Sequence, residues 1–158
     1  MKFLLLDIDD TISPWLYKGI DAVVIDSMGI ELGIPRHIAD WLKKVSKEEV
    51  KIIWCTNRPS VVCTLIEKTI GFKSEGKLTF TNRKAYPWDK LWGIIEFSNN
   101  NSEHTIVLVD NDVTEGTKGI NNLPNNLKLI SPSDQRRGCL SVRDLETIDK
   151  ILKIEISD

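Results

Sequence analysis

Cysteine is scarce in this chain, and what there is does not pair. Cys55, Cys63 and Cys139 form no CxxC motif and leave an odd count, which argues against a disulfide scaffold and for free thiols in a reducing compartment. Long apolar runs are missing as well: none approaches the ~18 residues that span a bilayer. Only Phe3-Leu4-Leu5-Leu6 lies between Lys2 and Asp7, too short for a signal-peptide core, so the expectation is a soluble cytoplasmic protein. Charge of one sign is absent too. With 21 Lys and Arg against 23 Asp and Glu, the net charge is −2, and no global basic field exists to drive tight nonspecific nucleic-acid binding. Repeats, long linkers and breaks in composition are not found, so residues 1–158 read as one domain around one core.

What is present is a regular alternation of strand and helix. Phe3–Leu6, Val50–Cys55, Thr105–Val109 and Leu127–Ile130 are short apolar runs that read as strands, with a weaker candidate at Leu78–Phe80. Helical periodicity covers Arg36–Ser46, where Ile38, Trp41, Leu42 and Val45 share a face, and Ser60–Ile70 after Pro59. Two further helices are expected over Pro87–Phe97 and Val142–Leu152, the last N-capped by Ser141 with Asp144 as partner. Ser98–Ser102 and Asn121–Asn126 read as polar loops. This order predicts an α/β fold with a parallel sheet covered on both faces.

Chemistry concentrates where the strands end. Phe3–Leu6 runs into Asp7-Ile8-Asp9-Asp10, three carboxylates with no Lys or Arg among them. They repel one another unless a cation or a shared proton offsets the charge, and Mg²⁺ is the usual partner of such oxygen clusters. Thr105–Val109 likewise runs into Asp110-Asn111-Asp112, and Val50–Cys55 into Thr56-Asn57-Arg58. If the three strands are parallel neighbours, all these side chains meet at the carboxyl edge of the sheet, where ligands of open α/β sheets bind. Carboxylates, a hydroxyl, an ammonium from Lys90 or Lys84 and a divalent cation are the parts needed for phosphoryl transfer through an aspartyl-phosphate.

In these motifs the chain resembles the haloacid dehalogenase (HAD) superfamily of Mg²⁺-dependent phosphohydrolases. Phe3–Thr11 is similar to the superfamily's apolar-DxDx[TV] first motif, Ile52–Thr56 to its second, and Val107–Asp112 to its acidic fourth. The resemblance implies a three-layer Rossmann-like sheet. It implies Asp7 as nucleophile and metal ligand, and Asp9 as general acid/base that also offers its carbonyl to Mg²⁺. It implies Thr56 as the phosphoryl-binding hydroxyl, with Asn57 and Arg58 beside it, and Asp110 as a further metal ligand completed by Asn111 or Asp112. The third motif is a lone lysine, for which Lys90 is preferred over Lys84. A looser similarity, carried by Lys90-Leu91 and the stretch Ser131–Ser141, extends to small HAD phosphatase domains of bacterial RNA-repair proteins.

The remaining residues have plainer readings. Trp15 and Tyr17 fall in a flap at about 12–34, either stacking on a base or sugar or packing the flap against the body. Trp41, Trp54, Trp88 and Trp92 fit core positions, His37 and His104 show no ligand pattern, Cys55 is expected to be buried, and Arg136-Arg137 reads as a solvated loop. Neither interval between motifs is long enough for a separate cap domain, so the site is expected to be open. The expected substrate is a phosphomonoester, first a polynucleotide end or nucleotide and second a small metabolite. The rival from another class is a receiver-like phospho-acceptor module, which lacks a general acid/base in the position of Asp9.

Overall fold

A strand apolar on both faces needs a layer of helix on each side, and the first strand has that character. The computed structural model describes residues 1–81 and 86–153. In chain order the elements are β1 (Lys2–Leu6), β2 (Ala22–Ser27), β3 (Ile30–Pro35), α1 (Arg36–Val45), β4 (Val50–Trp54) and α2 (Ser60–Ile70), then α3 (Leu91–Asn100), β5 (Thr105–Val109), α4 (Val113–Gly116), β6 (Leu127–Ile130) and α5 (Val142–Leu152). Four strands form one parallel sheet in the order β4-β1-β5-β6. Leu6 is in register with both Trp54 and Val109, so β1, β4 and β5 end at the same level.

The pleat divides the core. Leu4, Leu6, Ile52, Trp54, Val107 and Val109 point to one face, where α1, α2 and α5 supply Ile38, Leu42, Ile66, Ile148 and Leu152. Phe3, Leu5, Ile53, Ile106 and Leu108 point to the other, against Leu91, Ile94 and Ile95 of α3. This alternation is the period of two of a β-strand, and it makes a sheet flanked by helices on both sides. Among the described residues, no helix is long and apolar enough to cross a membrane.

Local chemistry explains most boundaries. α5 begins with the expected capping box: Ser141 Oγ accepts the Asp144 N–H and Asp144 Oδ2 accepts the Ser141 N–H, at 3.1 and 2.8 Å. α3 differs from expectation at both ends, starting at Leu91 rather than Pro87 and continuing to Asn100 through residues read as loop. Its polar last turn is held because Asn126 Nδ2 lies 3.0 Å from the carbonyl oxygens of Ser98, Asn101 and His104, tying the helix end to the loop before β6.

The expected strand at Leu78–Phe80 does not form. Trp54 N–H donates to Gly76 O and Leu78 N–H to Trp54 O, at 2.9 and 2.8 Å, giving one isolated bridge at Lys77. β4 stops there, so no partner backbone remains for a longer ladder. The flap holds a two-stranded antiparallel hairpin, β2 and β3, which the sequence pattern did not reveal. Its turn places Met28 at φ 54 and Gly29 at φ 76, the positive pair that a tight hairpin turn requires.

Gly116, in α4, leaves no room for a side chain, because a Cβ there would overlap the ring of Trp88. Gly116→Ala must displace that buried indole, and should lower stability by about 1–3 kcal/mol, read as the midpoint of urea unfolding. An unchanged midpoint would show that Trp88 has space to move.

Candidate active site

The sheet register brings the strand-end residues together. Asp7 N–H donates to Val109 O, Cys55 N–H to Leu6 O and Asp110 N–H to Ile130 O, at 3.1, 2.8 and 3.2 Å. Each bond carries the ladder one step past its strand, so Asp7, Thr56 and Asp110 are set by backbone. After Asp7 the chain turns tightly, with Thr11, Ile12 and Ser13 N–H groups all donating to Ile8 O. Asp10 sits at φ 53 in this turn, a conformation Asp tolerates better than most residues.

Lys90 fills the centre. It is 4% exposed, and its ammonium reaches Asp7 Oδ1 at 3.1 Å, Asp110 Oδ2 at 2.7 Å and Cys55 O at 3.0 Å. An ammonium has three protons to donate, and three acceptors surround it. Asp110 is fully buried, and its other oxygen accepts the Asp112 N–H at 2.8 Å. Lys84 lies outside the described residues.

Two buried carboxylates share one ammonium, and the imbalance shows in their proton affinity. Burial, then the charge of Asp110, pushes Asp7 up from 3.8 to about 6, with Lys90 opposing. Burial also raises Asp110 against the pull of Lys90. For Lys90, burial favours the neutral amine, but Asp110 and Asp7 outweigh it and hold the ammonium charged.

Asn111, one of the two residues left open after Asp110, lies against the Asp7–Asp9 turn. As placed, it directs its amide oxygen at two other acceptors, Asp7 Oδ2 and the Asp9 carbonyl; turned over, Nδ2 would donate to them at 3.3 and 3.2 Å. Crowded oxygens are relieved either by that rotation or by a cation among them. Separations a little above 3 Å are those of adjacent oxygens around an ion with about 2.1 Å bonds. Thr11, fully buried, adds to the cluster: its Oγ1 accepts the Asn111 N–H at 3.1 Å and lies 3.5 Å from Asp7 Oδ2 and 3.4 Å from Asp9 O. Asp112 gives its backbone N–H to Asp110 Oδ1; like Asn111 it is exposed and lines the cavity at this edge. The oxygens gathered here are thus a carboxylate, a carbonyl and an amide, a set that could hold a cation. Among the described residues no group of three His, Cys, Asp or Glu side chains assembles as metal ligands, a grouping that by its nature omits carbonyl and amide oxygens.

Above these groups opens a cavity of about 470 Å³ lined by Asp7, Asp9, Thr56, Arg58, Lys90 and Asn111, among others. Thr56 is 1% exposed and its Oγ1 accepts the Arg58 N–H at 3.1 Å, leaving its own proton to give. Asn57 lines the cavity as expected. The Asp9 side chain is held differently from the rest: Arg58 donates to both its oxygens, Nε to Oδ2 at 2.8 Å and Nη2 to Oδ1 at 2.7 Å.

The chain matches no family model and no curated protein sequence. The site is therefore read from its own geometry. Its most informative residues beyond the expected ones are Thr11 and Asn111; the first was visible only as part of a motif, the second only as one of two candidates.

Trp41, Trp54 and Trp88 are buried, Trp92 is half-buried, and Cys55 is buried with its thiol pushed up by burial. Trp15 is 85% exposed, so it does not pack the flap down, whereas Tyr17 lies over Gly33 and bonds Glu31. His37 meets the Leu140 carbonyl and His104 the N-terminus. Arg137 lines a separate cavity with Arg36 and His37.

A carboxyl raised from 3.8 to about 6 binds its proton more tightly in the folded state than in the unfolded chain. Folding therefore loses stability as pH rises between those values. Asp7→Asn has no such proton to lose. In metal-free protein its gain over wild type should be absent below about pH 4, grow to pH 6 and level off at up to ~3 kcal/mol. Urea unfolding at several pH values measures this, and a gain independent of pH would refute the burial of an ionised Asp7.

Proposed function

We propose that this chain is a Mg²⁺-dependent phosphomonoester hydrolase of the HAD type, working through an aspartyl-phosphate on Asp7. The observation that carries the reading is the convergence of Asp7, Lys90, Thr56 and Asn111 on one cavity at the carboxyl edge of a parallel sheet. In the described residues between β1 and α1 stands only the flap hairpin, which fits the HAD architecture without a separate cap.

Each residue has a task in that chemistry. Asp7 Oδ2 faces Asn111 while Oδ1 lies beside Lys90, so Oδ1 is the oxygen left to attack phosphorus in line with the departing alcohol. Lys90 holds the nucleophile and offsets its charge. Thr56 Oγ1 donates to a phosphoryl oxygen, next to Asn57 and Arg58. Asp9 gives a proton to the leaving oxygen, then takes one from the water that cleaves the acyl-phosphate, which restores Asp7 and releases phosphate. Asp7 Oδ2, the Asp9 carbonyl and Asn111 Oδ1 would hold Mg²⁺; Asp110, expected from the sequence as a further ligand, has both oxygens engaged by Lys90 and the Asp112 N–H and would instead fix Lys90. Bound there, the cation supplies charge neutralisation between carboxylate and phosphate, whose repulsion at 4 Å and an effective dielectric near 20 is about 4 kcal/mol per charge pair. An open cavity suits a substrate that brings its own bulk, a polynucleotide end or nucleotide first and a small phosphometabolite second.

One observation favours the receiver-like alternative: the Asp9 carboxylate is occupied by Arg58, and an acid/base held out of action would leave a long-lived phosphorylated Asp7. The lifetime of that species separates the readings, seconds or less for the hydrolase and many minutes for the acceptor module.

The decisive assay is a panel of phosphate esters, including 3′- and 5′-phosphorylated oligonucleotides, with Mg²⁺ or with EDTA. Hydrolysis should require the cation, and Asp7→Asn should lower it at least ~10³-fold with the fold retained; near-normal activity in that variant would overturn the nucleophile assignment. Asn111→Ala should weaken Mg²⁺ binding by about tenfold or more, while Asp112→Ala should change it little, as titration calorimetry would show. The reverse order would return the metal site to Asp112.

A further inference from the structure

Asp9 and Arg58 stand between two cavities. The catalytic cavity of about 470 Å³ has a neighbour of about 160 Å³ under the flap, walled by Pro14, Trp15, Tyr17, Glu31 and Leu32. Asp9, Asp10 and Arg58 line both. The partition between the chambers is therefore largely one ion pair.

The backbone on each side of this pair is pinned, and only the side chains are free to swing. Arg58 N–H is held by Thr56 Oγ1 at 3.1 Å and Arg58 O by Lys77 Nζ at 2.6 Å. The Asp9 carbonyl lies 3.4 Å from Thr11 Oγ1, and Asp9 forms a backbone bridge with Ser13. The side chains are 34% and 52% exposed, so water reaches both partners and screens part of the attraction of this bidentate pair. A phosphate dianion at Thr56 carries more charge than Asp9 and offers the same bidentate geometry to a guanidinium.

We propose that the Asp9–Arg58 ion pair is a gate between the two chambers, opened when a phosphate anion draws the Arg58 side chain to itself. Asp9 is then released and the flap chamber joined to the catalytic one, so the acid/base and the room for a leaving group become available only once phosphate is in place. This rests on the phosphatase reading and adds Arg58 as a positioning residue that acts through Asp9. It also explains why a site with a complete set of groups holds its acid/base closed while empty.

The test uses inorganic phosphate binding with Mg²⁺ present, which needs no turnover. Calorimetry on wild type, Arg58→Ala, Asp9→Ala and the double variant forms a cycle. A gate predicts that Arg58→Ala weakens phosphate roughly tenfold. It predicts that Asp9→Ala tightens phosphate several-fold when Arg58 is present, and less than about twofold when it is absent. Simple repulsion by Asp9 predicts the opposite, a gain that persists or grows without Arg58, and that result would overturn the gate. A second readout needs no variant: the Nε–H resonance of Arg58 must move as phosphate is added to wild type, and a resonance that stays fixed overturns the gate as well. The two readings fail separately. Coupling without ester hydrolysis would keep the gate and remove the phosphatase; hydrolysis without coupling would do the reverse.

Discussion

One ammonium between two buried carboxylates is the interaction on which the rest of this site depends. Lys90 lies 3.1 Å from Asp7 and 2.7 Å from Asp110, and the three groups together still carry an excess negative charge where water is largely excluded. Such a cluster is costly to bury and is stable only because its geometry satisfies every proton of the ammonium. The residual charge is what gives the cavity its character. Burial, with the charge of Asp110 beside it, raises the proton affinity of Asp7 and makes the same carboxylate an attractor for a cation that can take the proton's place.

The sheet makes that cluster unavoidable. Because β1 lies between β4 and β5 in a common register, whatever follows Leu6, Trp54 and Val109 must arrive at the same edge. Side chains cannot avoid one another there by rotation alone, since Asp7, Cys55 and Asp110 are each tied by a backbone hydrogen bond beyond the strand. Fold and chemistry are thus coupled through main-chain bonds, and the side chains need only be of the right type.

This coupling decides what could be read from the chain. β1 and β5 are legible because strands buried on both faces are continuous apolar runs, and the acids that end them stand out against that background. The hairpin was not legible, since Val23, Val24 and Ile25 break the alternation expected of a half-buried strand and the pattern resembles a loosely packed flap. Leu78–Phe80 has strand composition but no neighbouring backbone beyond Trp54, a tertiary fact that no local pattern carries. Lys90 is only a residue type in a helix-rich segment. Asn111 and Asp112 are equivalent on paper, and only their contacts distinguish them: the Asn111 amide group faces Asp7 Oδ2 and the Asp9 carbonyl, while the Asp112 N–H caps Asp110 Oδ1.

The pairing of Asp9 with Arg58 follows from the same economy of charge. A carboxylate at the mouth of a cavity already negative must either be neutralised or raise the barrier to an incoming anion. Placing a guanidinium on it does the first, but would disable an acid/base if the bond were strong. Exposure screens part of that bond, and Arg58, two residues beyond Thr56, lines the same cavity as the Thr56 hydroxyl. A single cation can then serve the empty site and the filled one in turn, provided that its backbone does not move. The contacts of Thr56 and Lys77 with Arg58 meet that condition, so such a switch would require only a side-chain rotation, and the flap hairpin can stay where α1 and α2 hold it.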